Sequence, residues 1–181
     1  MKKTLLLLIF SCLSFHLMAQ FSLGLKAGAN ISKVDGISDA KNYTNFNAGV
    51  FGLFKLTKFG IQPEVLYSGQ GCKIDGVELK SVYLNIPVMV KFYLAAGFNI
   101  QAGPQYGILL SAEQDGEDIK DQLKSSDMSA AFGLGFDAPF GLVIDARYVM
   151  GLSDINNVDG AADSYKNKVI QISLGYKLFG K

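Results

Sequence analysis

The sequence predicts an all-β chain: an eight-stranded antiparallel up-and-down transmembrane β-barrel, preceded by a cleavable signal peptide. Three observations predict it. Successive stretches alternate apolar and polar residues with period two, one parity class in each is free of charge, and long and short connections alternate along the chain. No segment sustains a helical period.

The chain opens on MKKTLLLLIFSCLSFHLMAQ, with Lys2 and Lys3, an apolar run from Thr4 to Phe15, and the small Ala19 before Gln20. This is the pattern of a secretory signal, and the run is shorter than the about 20 residues of a spanning helix. The expected division is residues 1–19 as signal peptide and 20–181 as the barrel domain. Only a short apolar run precedes Cys12, too little for a lipoprotein site. Cleavage removes Cys12 and His16, leaving one cysteine, Cys72, and no histidine. An intramolecular disulfide, histidine triads and histidine metal sites are thereby excluded. A net charge of +1 offers no electrostatic case for nucleic acid.

The expected strands lie near 21–32, 45–57, 59–70, 82–94, 97–111, 128–138, 142–152 and 168–179. Most exceed the usual globular length of about 5–6 residues, and a tilted membrane strand needs about 9–11. The first presents Phe21, Leu23, Leu25, Ala27, Ala29 and Ile31 on one parity, and the second Phe46 to Leu56. The third presents Phe59 to Tyr67. The fourth, YLNIPVMVKFYL, presents Val88, Val90 and Phe92 while Asn85 and Lys91 take the other face. The fifth runs from Phe98 to Leu110, and the sixth carries Phe132, Leu134 and Phe136. The seventh runs from Leu142 to Leu152, and the eighth carries Ile170, Ile172, Leu174, Tyr176 and Leu178.

The opposite parity is expected to hold Lys26, Lys55, Glu64, Lys91, Asp137, Asp145, Arg147, Lys168 and Lys177, with many glycines and amides. Period two does not say which face is inside. A charge on the lipid side costs about 2–4 kcal/mol at midplane, which keeps that face clean. A barrel of this strand number leaves room inside only for side chains, which suits glycines and amides. The apolar face is therefore placed outward: Val88, Val90, Phe92, Phe132, Leu134, Phe136, Ile172 and Leu174 are expected to face lipid. Tyr67, Tyr106, Tyr148 and Tyr176 fall on the same face and suit an interfacial girdle.

Connections support this. Long loops are expected after the first strand (KVDGISDAKNYT), the third (GCKIDGVELKS), the fifth (AEQDGEDIKDQLKSSD) and the seventh (SDINNVDGAADSYKN), with short turns between the others. That order predicts both termini in the periplasm and long loops outside. Pro63, Pro87 and Pro104 interrupt three strands. Folding the fourth and fifth together sets Pro87 almost opposite Pro104, so a bulge or ladder gap is expected there, with Asn85 or Gln105 replacing the lost bonds.

The motifs GIQPEVLYSGQG, YLNIPVMVKFYL, GFNIQAGPQYGILLS and FGLVIDARYVMGLSDI, in this order, resemble the PorT-like outer-membrane β-barrel proteins of Bacteroidota. The resemblance spans nearly all of the expected mature chain. It implies an outer-membrane barrel, and one branch of the family serves as accessory to a protein secretion system. The C-terminal ISLGYKLFGK is similar to an outer-membrane assembly signal, with two residues beyond Phe179.

No catalytic, cofactor or metal site is expected. Outer-membrane barrel enzymes that hydrolyse or transfer acyl chains look to a histidine. Glu64, Asp137 and Asp145 offer carboxylates, but in a narrow lumen they are expected to pair with Lys26, Lys55, Lys91, Arg147 and Lys177 as a structural ion-pair network. The Asp154, Asn156, Asn157, Asp159 and Asp163 loop lacks the EF-hand spacing. Glu113 to Asp127 reads as a polar external loop, and Cys72 as a free thiol in another. The leading functional expectation is a non-enzymatic barrel with a plugged lumen and interacting surface loops. Its expected partners are outer-membrane lipid and envelope or secretion-machinery proteins, with no nucleic acid. The residues leave open a small-solute channel, a secretion accessory and a soluble periplasmic ligand-binding barrel.

Parity yields a direct test. Leu134→Arg is expected to block membrane assembly, with loss of the heat-shifted band on gels, while Gly135→Ser is expected to assemble.

Overall fold

The structure, a computed structural model, describes residues 21–35, 41–74, 76–153 and 165–180. The expected signal peptide and the Asp154–Asp163 loop lie outside the described residues. The strands are β1 (Phe21–Asp35), β2 (Lys41–Leu56), β3 (Phe59–Ile74), β4 (Val77–Tyr93) and β5 (Phe98–Gln114). They continue with the two-residue β6 (Glu117–Asp118), β7 (Ser126–Asp137), β8 (Leu142–Gly151) and β9 (Lys166–Phe179). Every pairing is antiparallel, and the sheet runs β4-β3-β2-β1-β9-β8-β7-β5 before β5 returns to β4. Ala29 sits opposite Ile172 where the first and last strands meet, and Lys91 opposite Gln101 where β4 meets β5. Apart from the short β6, eight strands thus form a closed barrel.

Facing follows the period. Phe132, Leu134, Ile172 and Leu174 are 49, 64, 52 and 58% exposed, and Val88 and Val90 are exposed with them. Phe92 and Phe136 share that outward parity and are half-buried in tilted ring pairs: Phe92 with Phe59 at 5.1 Å and Phe136 with Phe98 at 4.8 Å between ring centroids. Phe21 and Phe54 form a third such pair at 4.7 Å. All three pairs sit at the end of the barrel that carries the termini. There the phenylalanines form a belt on the outer face. Of the four outward tyrosines, Tyr176 lies opposite Leu142, Tyr148 opposite Phe132, Tyr106 opposite Met128 and Tyr67 opposite Ala48.

The ends of the strands depart from expectation in one systematic way. The apolar alternation stops at the edge of the hydrophobic band, but the hydrogen-bonded ladder continues beyond it. The expected loop Gly71–Ser81 is therefore a tight hairpin, with Ile74 opposite Val77. The Ala112–Asp127 loop likewise holds a hairpin, Gln114 opposite Glu117, and a 3₁₀ turn over Lys120–Gln122. In the second, Asp115 and Gly116 have φ of +52° and +88°, the left-handed pair of a type I′ turn, and in the first Gly76 has +92°. Asp-Gly is the signal that marks them in the sequence.

Cys72 accordingly lies on β3, buried inside the barrel beside Val34, not in an external loop. Lys168 shares the parity of Ile170 and Ile172, so it faces outward near the loop end of β9, opposite Lys33 and Met150, and is no part of the interior.

The prolines act as expected for residues without a donor N–H. Pairing between Pro87–Gln105 and Val90–Ala102 is interrupted at the level of Pro104, without a change of register. Matching gaps occur in β2–β3 at Pro63 and in β3–β4 at Pro87. The side chains of Asn85 and Gln105 do not replace those bonds among the described hydrogen bonds.

Gly135 corrects the second half of the parity test. A Cβ there would stand 2.6 Å from Asn99 Oδ1 and 2.9 Å from Asp145 Oδ1. Gly135→Ser is now expected to destabilise the barrel by about 1–3 kcal/mol through overpacking, visible as a lowered urea midpoint. An unchanged midpoint would show that the interior is looser than described.

Candidate functional site

The interior is stacked in layers, because inward positions recur every second residue on each strand and strand tilt brings them level around the axis. At its centre are Lys26 on β1, Glu64 on β3, and Asp145 and Arg147 on β8. All four side chains are essentially without solvent contact. Arg147 grips Glu64 with two parallel bonds, Nη1 to Oε2 at 2.9 Å and Nη2 to Oε1 at 2.6 Å, the fork geometry that makes arginine suited to buried carboxylates. Nη2 also reaches Asp145 Oδ2 at 3.1 Å. Lys26 donates to Glu64 Oε1 at 3.1 Å and to Asp145. Amides complete the shell: Gln62 Nε2 donates to Glu64 at 2.6 Å and Gln101 Nε2 to Asp145 at 2.7 Å.

A second cluster lies towards the termini. Asp137 accepts from Lys91 at 3.1 Å, Lys177 at 3.0 Å, Tyr93 Oη at 2.9 Å and Asn99 at 3.3 Å. Lys91 links the clusters, 3.7 Å from Asp145. Of the eight residues expected in the network, Lys55 alone has no carboxylate within ion-pair distance among the described residues. Its Nζ sits 3.9 Å from the centroid of the Tyr93 ring instead, a cation–π contact.

Other layers were not legible as such. Phe51, Leu53 and Val143 form one apolar cluster, and Met89, Ala131, Val149 and Val169 another. An amide tier joins Asn30, Asn47, Ser68, Gln171 and Ser173. Near the loop end Tyr83, Leu109 and Ala112 form a buried cluster with Ile119, so the segment expected as an external loop is packed against the strands. Asp127, also buried, is held there by Ser129 at 3.1 Å and Asn167 at 3.2 Å. Its inward parity on β7 is the signal that would have found it.

This arrangement has little capacity for acid–base chemistry. Glu64, Asp137 and Asp145 are each held by cations and amides. Among the described residues no His, Cys, Asp and Glu cluster suits a metal ion.

An apolar outer face, a closed ladder and a polar, filled bore define an outer-membrane β-barrel. The chain belongs to the outer membrane protein beta-barrel domain family, whose model matches residues 16–157. It is similar in fold to Neisserial surface protein A, with 12% identity and a TM-score of 0.61 over 86% of this chain and 97% of that one. It is also similar to Ail, the attachment invasion locus protein of Yersinia pestis, with 16% identity and a TM-score of 0.54 over 88% of this chain and 99% of that one. No curated protein sequence matches the chain.

Because Glu64 neutralises two buried cations, Glu64→Gln is expected to cost about 3–5 kcal/mol of stability. Equilibrium urea unfolding in vesicles measures this. A loss below about 1 kcal/mol would mean that water, rather than Glu64, solvates Arg147 and Lys26.

Proposed function

We propose that this chain is a non-enzymatic outer-membrane barrel whose bore is sealed by its own side chains and whose activity resides in the loop end. The observation that carries this reading is the filled interior. Ion-pair, amide and apolar layers follow one another along the axis, and Ile119 packs with Tyr83, Leu109 and Ala112 near the loop end. In this reading residues 1–19 are a signal removed on export, both termini face the periplasm, and the Asp-Gly hairpins and the Asp115–Ser125 segment face outwards. The network of Lys26, Glu64, Lys91, Asp137, Asp145, Arg147 and Lys177 serves as a structural plug. Val88, Val90, Phe92, Phe132, Leu134, Phe136, Ile172 and Leu174 contact acyl chains.

The resemblance to the PorT-like proteins of Bacteroidota favours envelope proteins as partners of the loop end, including a secretion machinery. The hairpins support this, since they hold polar side chains on a rigid ladder rather than on loose chain, which lowers the ordering cost of binding.

Planar bilayers test the seal. Purified protein is expected to give no stepwise conductance, and a Glu64→Ala, Arg147→Ala double variant is expected to give small, flickering steps. Reproducible steps from the unaltered protein would replace this reading with a small-solute channel.

A further inference from the structure

The charges of the bore do not balance, and the imbalance is local. In the central cluster Lys26 and Arg147 face Glu64 and Asp145, two charges against two, with Lys91 a further cation 3.7 Å from Asp145. At the termini end Lys55, Lys91 and Lys177 surround one carboxylate, Asp137. Asp127 lies at the other end beside Tyr83 and Asn167 and cannot compensate. Among the described residues the five cations of the two joined clusters thus exceed their three carboxylates by two, and the excess lies towards one mouth of a narrow cylinder, where field lines are focused.

The same mouth holds a cavity of about 670 Å³, lined by Lys55, Lys177, Asp137, Thr57 and Gly97. Leu53, also in its lining, belongs to the apolar cluster with Phe51 and Val143. Lys55 is the group with capacity to spare. It is half-buried, its ammonium rests on the Tyr93 ring, and among the described residues no carboxylate lies within ion-pair distance of it.

We infer that this mouth is a binding site for a phosphate-type oxyanion, held between the ammonium groups of Lys55 and Lys177 with the Thr57 hydroxyl as a further donor. One doubly charged oxyanion neutralises the surplus, and lysine serves phosphate as a point charge without fork geometry. The Asp137 carboxylate lines the same cavity and is paired with Lys177. The inference holds for either orientation of the barrel in the membrane, so it stands or falls separately from the loop-end function.

The test is titration of the full-length folded barrel, in a neutral detergent, with inorganic phosphate at ionic strength held constant by chloride, followed by amide ¹H–¹⁵N spectra. Saturable shifts are expected at Gly97, Gly141 and Gly180, with Gly76 and Gly116 at the opposite end unmoved. Lys55→Ala is expected to weaken binding at least about ten-fold and Lys55→Arg to restore most of it, while Lys80→Ala on the outer surface leaves it unchanged. If nanodiscs of phosphatidylglycerol, but not phosphatidylcholine, produce the same shifts without added phosphate, the oxyanion is a lipid headgroup and the site stands. Shifts that do not saturate, that persist in Lys55→Ala, or that centre on Lys73 and Lys80 would overturn it.

Discussion

Hydrocarbon offers a peptide group no hydrogen-bond partner, and that constraint shapes this molecule. Only a helix or an edgeless sheet spans a membrane under it. The chain meets it by pairing β1 with β9 and β4 with β5, so that no barrel strand has a free edge. Closure in turn forces the two parities apart. One parity faces outward and the other faces the bore, which is why leucine and phenylalanine alternate with lysine and aspartate along the same strand.

Once polar groups are confined to that bore, their chemistry is set by desolvation. A buried charge is tolerated when paired and hydrogen-bonded. Glu64 meets Arg147 in a bidentate grip and Lys26 besides, and Asp145 is shared between three cations. The partners come from β1, β3, β4, β8 and, through Asp137, β7 and β9, so the network ties opposite walls together. Even so, Arg147 Nε, Gln62 Oε1, Gln101 Oε1 and Asn99 Oδ1 are buried and make no protein hydrogen bond. The apolar layers between the polar ones bring the interior nearer to a soluble protein's core than to an aqueous channel.

The sequence was most legible where the membrane edits it. Outward positions such as Val88, Phe132 and Leu174 follow from period two and the cost of charge in lipid, and the membership of the interior charge set follows from the same parity. Legibility fails where that selection ends. Above the hydrophobic band the ladder persists without an apolar signature, so the β3–β4 hairpin, the buried Cys72 and the folded Glu113–Asp118 segment read as loops. Lys168 lies on the outward face because parity, rather than charge, places a strand residue. Partners within the bore depend on register, and register is set by pairs such as Gly135 opposite Asp145 that no alternation encodes. The lone position of Lys55 belongs to this second kind of information.

The outward assignment carries every other statement about this barrel, and site-directed spin labels at successive β7 positions in lipid vesicles test it most directly. Labels at Phe132 and Leu134 are predicted to collide with membrane-dissolved oxygen and to be shielded from a water-soluble nickel complex, while a label at Ala131 is shielded from both. Accessibility to the nickel complex at Phe132, or the same response at Phe132 and Ala131, would contradict the account.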